Sequence, residues 1–262
     1  MRKNQSIKNN IAEATNGLAK TAVNGLLWWL YLVGASIGKS RTSRGVYEMF
    51  READEALRDC NYEHFQQLLH QLQKQHLIAK RRKRTEVELS ITKLGRERLS
   101  EFLPTYKKTR PWDGYVYIIS YDIPESSKTV RDQFRQYLVK IGCAKLQASV
   151  WMTPHAPQDL VNDFATKHHV EGAILVSKLD KYGMIGDETL SEVMVRIYCL
   201  DDINKQYEDF LLIGKQKSIS VFQSVVLYES ILRDDPQLPF ELLPSWWMGE
   251  DAHHIYQFFL VK

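Results

Sequence analysis

Apolar positions recur along this chain with two different periods, and the changes of period divide it. Leu26–Val33 is a dense apolar run. From about Ser43, Val46, Met49, Phe50, Ala53 and Leu57 fall on one helical face, and after Asn61 so do Phe65, Leu68, Leu69 and Leu72. This i, i+3, i+4, i+7 spacing predicts amphipathic helices. Asn61 is suited to an N-cap, with Glu63 in the first turn. The period then drops to two. In "LIAKRRKRTEVELSITKLG", Leu77 to Gly95, Val87, Leu89 and Ile91 alternate with Glu86, Glu88 and Ser90. That is the signature of a half-buried strand, paired through a tight turn with the strand before it. Gly95 and a short helix, Arg96–Phe102, are expected to close the unit.

Farther on, strand and helix patterns alternate. Tyr115–Tyr121 reads as a strand. Thr129–Ile141 places Val130, Phe134, Tyr137, Leu138 and Ile141 on one helical face, and Gly142 is a natural stop. Ala144–Thr153 is strand-like with a bend near Gln147. Pro157–His169 is helical, and Ala173–Leu179 is a last strand. The order βαββαβ predicts a ferredoxin-like sandwich. The expected fold class is therefore α+β: an N-terminal winged helix-turn-helix, a central ferredoxin-like βαββαβ domain and a mainly helical C-terminal domain. The expected boundaries are 1–17 (an extension), 18–103, 104–184 and 185–262.

Composition changes this picture in two places. Hydrophobic residues make up 44% of the 262 residues and charged residues 26%, as in an ordinary globular chain. The net charge of +3 hides an asymmetry: residues 1–110 hold 21 Lys+Arg against 11 Asp+Glu, and residues 111–262 hold 14 against 21. A basic module joined to an acidic body points to a polyanionic partner for the first part. The cysteines, Cys60, Cys143 and Cys199, form no CxxC pair, so neither a zinc knuckle nor a disulfide framework is indicated, and a reducing cytoplasm is expected. Thr21–Gly38 carries no charge, but Asn24, Gly25, Gly34 and Gly38 interrupt it. A buried core helix is expected there, not a membrane span or a signal peptide.

The third helix has an unusual outward face: His64, Gln66, Gln67, His70, Gln71, Gln73 and Lys74. Glutamine can bond the major-groove edge of adenine, and lysine can reach guanine or phosphate. Lys80, Arg81, Arg82, Lys83 and Arg84 follow as consecutive cations in a strand. Side chains alternate between the two faces of a strand, so this stretch cannot be buried. It suits the projecting tip of a hairpin. Helices, a polar helix and a basic hairpin, in that order, predict a winged helix that binds double-stranded DNA. His64, Gln67, Gln71 and Lys74 are the candidate base contacts, and Lys80, Arg81, Arg82, Lys83 and Arg84 the candidate phosphate contacts. A localisation signal or an RNA-binding patch is the competing reading of the cations. Paired half-sites would call for a homodimer.

Asp122 ends the strand Tyr115–Tyr121 and precedes Ile-Pro-Glu. It is the candidate for metal-dependent catalysis, with Glu125 the nearest companion. Mg²⁺ takes one or two protein carboxylates together with phosphate. The structural alternative has Asp122 accepting backbone bonds in the turn, with Ser126 or Ser127 capping the next helix. The pairs His168–His169 and His253–His254 are poor metal sites, because adjacent helical residues do not face each other. No nucleophilic triad is favoured by the order of residues.

"WDGYVYIISYDIPESSKTVRDQFRQYLVKIGCAKLQASVWMTP" resembles the ferredoxin-like nuclease subunit of CRISPR adaptation complexes. The likeness lies in Asp122 at the strand end, Arg131 in the helix and the "LQASVW" strand. The same module occurs in the middle of the PaaX-like (phenylacetate-catabolism repressor) regulators. "VVLYESILRDDPQLPFELLPSWWMGEDAHHIYQFF", Val225 to Phe259, is similar to the C-terminal signature of that family. The resemblance covers about residues 20–260 in family order. It implies a dimeric transcriptional repressor whose middle module is a scaffold. The nuclease-like likeness implies instead a Mg-dependent enzyme using Asp122. An acyl-coenzyme A effector is implied for the family's namesakes, and no phosphate-cradling Gly-rich loop here supports it. The Gln- and His-rich helix also departs from the more arginine-rich recognition helices of the family, so no operator sequence carries over.

Overall fold

The computed structural model describes residues 22–32, 47, 62–83, 86–101, 103–216 and 221–260. The helix expected over Ser43–Leu57 (Tyr47 apart), the cap at Asn61, and Arg84 lie outside the described residues. The fold is α+β, with helices first, a sheet domain in the middle and helices again at the end. Contacts divide the chain into two compact units. One draws on residues 1–106, 205–234 and 248–262, the other on 107–204 and 235–247.

In the first unit, helices α1 (Ala22–Leu32) and α2 (Tyr62–Lys74) precede a hairpin of β1 (Ile78–Lys83) and β2 (Glu86–Ile91), then α3 (Lys93–Ser100). Leu26 to Leu30 of α1 pack with Phe65, Leu68, Leu69 and Leu72 of α2, Ile78 and Leu89 of the hairpin, and Leu99 of α3. Each such side chain contributes about 1.5–3 kcal/mol by leaving water. No helix among the described residues is long and apolar enough to cross a membrane. The C-terminal helices α8 (Val221–Asp234) and α9 (Gly249–Leu260) belong to this unit as well, and Val225 and Val226 enter the same core.

The turn out of α2 sets the hairpin's position. The Leu77 N–H reaches the Leu72 carbonyl at 2.9 Å and the His76 N–H reaches Gln73 at 3.0 Å. This is a Schellman stop with His76, at φ 57°, in the left-handed place usually held by glycine. Helix α3 begins three residues before the expected start, because Gly95 lies inside it rather than ahead of it. Thr92 is the N-cap: its hydroxyl donates to the His76 carbonyl at 2.7 Å and accepts the Gly95 N–H at 3.0 Å. A side chain at position 95 would meet the Leu77 carbonyl oxygen at 2.1 Å, so glycine here is an approach requirement, not a helix breaker.

The second unit is built on a four-stranded antiparallel sheet in the order β4-β5-β3-β6. The strands are β3 (Tyr115–Asp122), β4 (Ala144–Gln147), β5 (Val150–Thr153) and β6 (Ala173–Asp180). Helices α4 (Lys128–Lys140) and α5 (Gln158–Lys167) make the crossovers. This is the ferredoxin-like arrangement that the βαββαβ pattern predicts. The bend expected near Gln147 is a full hairpin with a register shift between Lys145 and Gln147. Ile119, Tyr121, Phe134, Leu138, Trp151, Val161 and Phe164 fill the space between sheet and helices. Cys143 is buried beside them, and burial pushes its thiol up to about 12. A small ribbon, β7 (Met184–Ile185) with β8 (Glu188–Thr189), leads into α6 (Leu190–Ile197); α7 (Leu200–Gln216) follows and belongs to the first unit from Lys205 on.

The "DPQLPF" stretch of the C-terminal signature, from Asp235, belongs to this second unit. Arg110 is buried there, donating to the Leu238 carbonyl at 3.0 Å and standing 4.6 Å from the Phe240 ring. The Lys107 N–H donates to Gln237 at 2.7 Å. Lys107 and Arg110 of the basic stretch "YKKTRPW" are thus fastened within this unit.

Candidate nucleic-acid interface

Helix α2 presents two neighbouring polar stripes. Its apolar side, Phe65, Leu68, Leu69 and Leu72, is buried in the core. Burial of those four residues forces Glu63, His64, Gln66, Gln67, His70, Gln71 and Lys74 outward, and all are exposed. Glu63, Gln66, Gln67, His70, Gln71 and Gln73 line one wall of an open groove of about 770 Å³, and Lys80 and Leu89 line the hairpin side. Of the four expected base contacts, His64 and Lys74 are exposed but are not among the residues lining the groove, whereas Gln67 and Gln71 line it. Gln66 and His70 join them there, although they are not among the expected contacts. The sequence places both on the outward face of the helix, but which part of that face meets the hairpin is set by the packing.

The hairpin register sorts the cations. Lys80 stands opposite Leu89 and Arg82 opposite Val87, whereas Arg81 stands opposite Glu88 and Lys83 opposite Glu86. Opposite charges directly across a ladder attract. The register thus leaves Lys80 and Arg82 across from apolar residues and gives Arg81 and Lys83 an acidic cross-strand neighbour. Lys80 is exposed.

Behind this surface, in the same unit, sits a buried carboxyl. Glu229 of α8 is 4% exposed and accepts the Tyr256 hydroxyl of α9 at 2.9 Å. Burial pushes its carboxyl up to about 7, against the favourable hydrogen bond from Tyr256. Tyr256 stacks on Tyr228 at 4.1 Å, and the Tyr228 hydroxyl meets His253 Nδ1 at 2.9 Å. His253 also stacks on Tyr106 at 3.8 Å. The first member of the His253–His254 pair is thus held in an aromatic network.

Asp122 lies in the other unit. It is exposed at the end of β3, paired in register with Ala173. Its carboxylate takes no hydrogen bond or ion pair from the described residues. The backbone bonds expected of it in the turn are therefore not made, and Ser127 leads into α4 without a side-chain cap. What Asp122 contributes to packing is main chain: a Cβ on Gly172, at φ +111°, would meet the Asp122 carbonyl oxygen at 2.1 Å. Glu125 is engaged by Arg131 at 3.2 Å. Among the described residues no three His, Cys, Asp or Glu side chains are grouped to hold a metal. Asp122 is thus a single carboxylate, and a Mg²⁺ ion there would take its remaining donors from phosphate and water.

Residues 109–190 match the family model described as the PaaX protein central Cas2-like domain. That stretch of the chain is similar to the PaaX-type Cas2-like domain. It comprises the ferredoxin-like sheet and its two crossover helices, with Asp122 at the end of the first strand. The chain is also similar in structure to an uncharacterized protein, Rv0674, from Mycobacterium tuberculosis. The TM-score is 0.53 at 19% identity, over 78% of this chain and 82% of that one. At that identity the likeness is one of fold, and it extends well beyond the Cas2-like domain. No curated protein sequence matches the chain.

Proposed function

We propose that this protein is a DNA-binding transcriptional regulator of the PaaX-like kind, a repressor acting as a homodimer. Helix α2 enters the major groove and β1–β2 is the wing of a winged helix. One observation carries the reading: an exposed Gln- and His-rich helical face shares a groove with a cationic strand. The helix offers hydrogen-bond donors and acceptors for base edges, and the strand offers charge for phosphates. Lys80 and Arg82 are the principal phosphate contacts, because their cross-strand neighbours are apolar. Arg81, Lys83 and Arg84 add to the same field. A two-fold dimer matches paired half-sites. The match to a PaaX-type domain supports a regulatory role for the whole chain.

The test is a mobility shift on the duplex upstream of the protein's own coding sequence, with EDTA or with Mg²⁺, across a salt titration. A regulator shifts intact DNA in both conditions, and the affinity falls steeply with salt. Failure to bind at low salt would overturn the proposal.

A second reading, metal-dependent cleavage, is favoured by the exposed, unengaged Asp122 carboxylate in a Cas2-like domain. Fragments that require Mg²⁺ and vanish in Asp122→Asn would establish it. Intact DNA under both conditions would reject it.

A further inference from the structure

The glutamine face of α2 carries a base preference. We propose that α2 reads adenine, so that each half-site presents adenines in the major groove to Gln66, Gln67 and Gln71. The inference rests on the reading of α2 as the groove-entering helix.

Donors and acceptors on the base edge select the side chain that pairs with it. Adenine shows an acceptor, N7, beside a donor, the N6 amino group, and a glutamine amide offers the complement of both. Guanine shows two acceptors, N7 and O6, and calls for two donors from arginine or lysine. Helix α2, "YEHFQQLLHQLQK", contains no arginine, and its lysine, Lys74, stands at the last position. The N-terminal part of a recognition helix makes the base contacts, so Lys74 is badly placed to read guanine. Gln66 and Gln67 lie in the N-terminal half, and all three glutamines are exposed and line the groove beside Lys80.

Glu63 points the same way. It is exposed, lies in the first turn of α2 and lines the same groove. An ionised carboxylate only accepts hydrogen bonds. It is repelled by the acceptor edges of guanine and by thymine O4, and it is matched to the amino groups of adenine and cytosine. Four side chains that line the groove therefore favour amino-bearing edges, three of them in the N-terminal half of the helix. The cations that would favour guanine sit on the wing or at the helix end, within reach of phosphates.

The experiment begins with full-length protein and a pool of duplexes randomised over a central stretch; bound duplexes are sequenced. The most enriched duplex is then remade with 7-deazaadenine for adenine, or 7-deazaguanine for guanine, each lacking the N7 acceptor. Enrichment of adenine in the half-sites is expected. Deazaadenine should lower affinity on the order of tenfold, and deazaguanine by less than about twofold. Gln67→Ala with Gln71→Ala should abolish the enrichment and leave affinity for a scrambled duplex within about twofold. Guanine enrichment, or a loss that follows deazaguanine, would overturn the adenine reading. Tight binding with no base preference would also overturn it and leave DNA binding standing. No binding to any duplex at low salt would overturn both.

Discussion

Helix α2 with its hairpin and the Asp122 end of the Cas2-like sheet are both polar surfaces at the edge of a well-packed core, but they are assembled differently. At α2, core packing fixes every outward residue, and the Schellman turn and the Thr92 cap hold the hairpin beside it. Several side chains of matched chemistry then meet in one groove. At Asp122, the packing holds the main chain against Gly172, and no described residue bonds to the carboxylate. Its nearest acidic companion is spent on Arg131. A binding surface needs many coordinated groups, and a metal centre needs a donor set. The first unit groups such side chains in one groove, whereas Asp122 stands among the described residues as one carboxylate with no acidic or histidine cluster around it.

The comparison is most severely broken through the backbone supports. Gly95→Ala forces a methyl group into the Leu77 carbonyl, with no flexible side chain to give way. It should cost about 3 kcal/mol or more and separate the hairpin from α2. Thermal unfolding should show the loss, and duplex affinity should fall with it.

The next effect sharpens the account of the first unit's core. The Glu229 carboxyl is raised to about 7 in the folded protein from an ordinary value of 4.5. A raised acid favours the folded state fully below pH 4.5, and that contribution is lost as the pH rises toward 7. Glu229→Gln removes the titration and keeps an acceptor for Tyr256. The variant should gain stability over the native protein through that window, reaching roughly 3 kcal/mol above it. Chemical denaturation at pH 5 and pH 8 checks this. An equal difference at both values would contradict it.

A third test separates the cations. Lys80→Ala with Arg82→Ala should weaken binding to every duplex by about tenfold to a hundredfold and flatten the salt slope by about two. Arg81→Ala with Lys83→Ala should do less, because the register gives each a glutamate opposite. Fluorescence anisotropy across a salt series measures both. Equal losses would mean that the register does not sort the cations. The smallest effect is the most telling for the other surface: Asp122→Asn should change duplex affinity by less than about twofold, as expected of a residue with no part in phosphate contact.

Much of this was legible in the sequence because burial is periodic. The alternation in β2, the faces of α2 and α4 and the βαββαβ order are local patterns, and they predict the hairpin and the ferredoxin-like sheet. Two features escaped for physical reasons. Gly95 looks like a breaker, because glycine's freedom is local information while its close approach to Leu77 is not. The C-terminal third looks like one helical domain, because its sequence is mostly apolar helix. Its residues are in fact shared: Val225, Val226 and Glu229 join the core around α1, whereas Asp235 to Phe240 fasten Arg110 and the start of the Cas2-like domain. Such long-range pairing leaves no periodic trace. At the candidate site, Gln67 and Gln71 were legible as exposed amides, but which residues share a wall with Lys80 depends on how α2 leans against the hairpin.

The most direct test places a photoreactive benzoylphenylalanine in place of Gln71 in one preparation and of Asp122 in another. Each is irradiated with labelled duplex under conditions where native protein binds. The account predicts crosslinked DNA from position 71 and none above background from position 122. Crosslinking from position 122 with none from position 71 would contradict it and move the nucleic-acid surface to the Cas2-like domain.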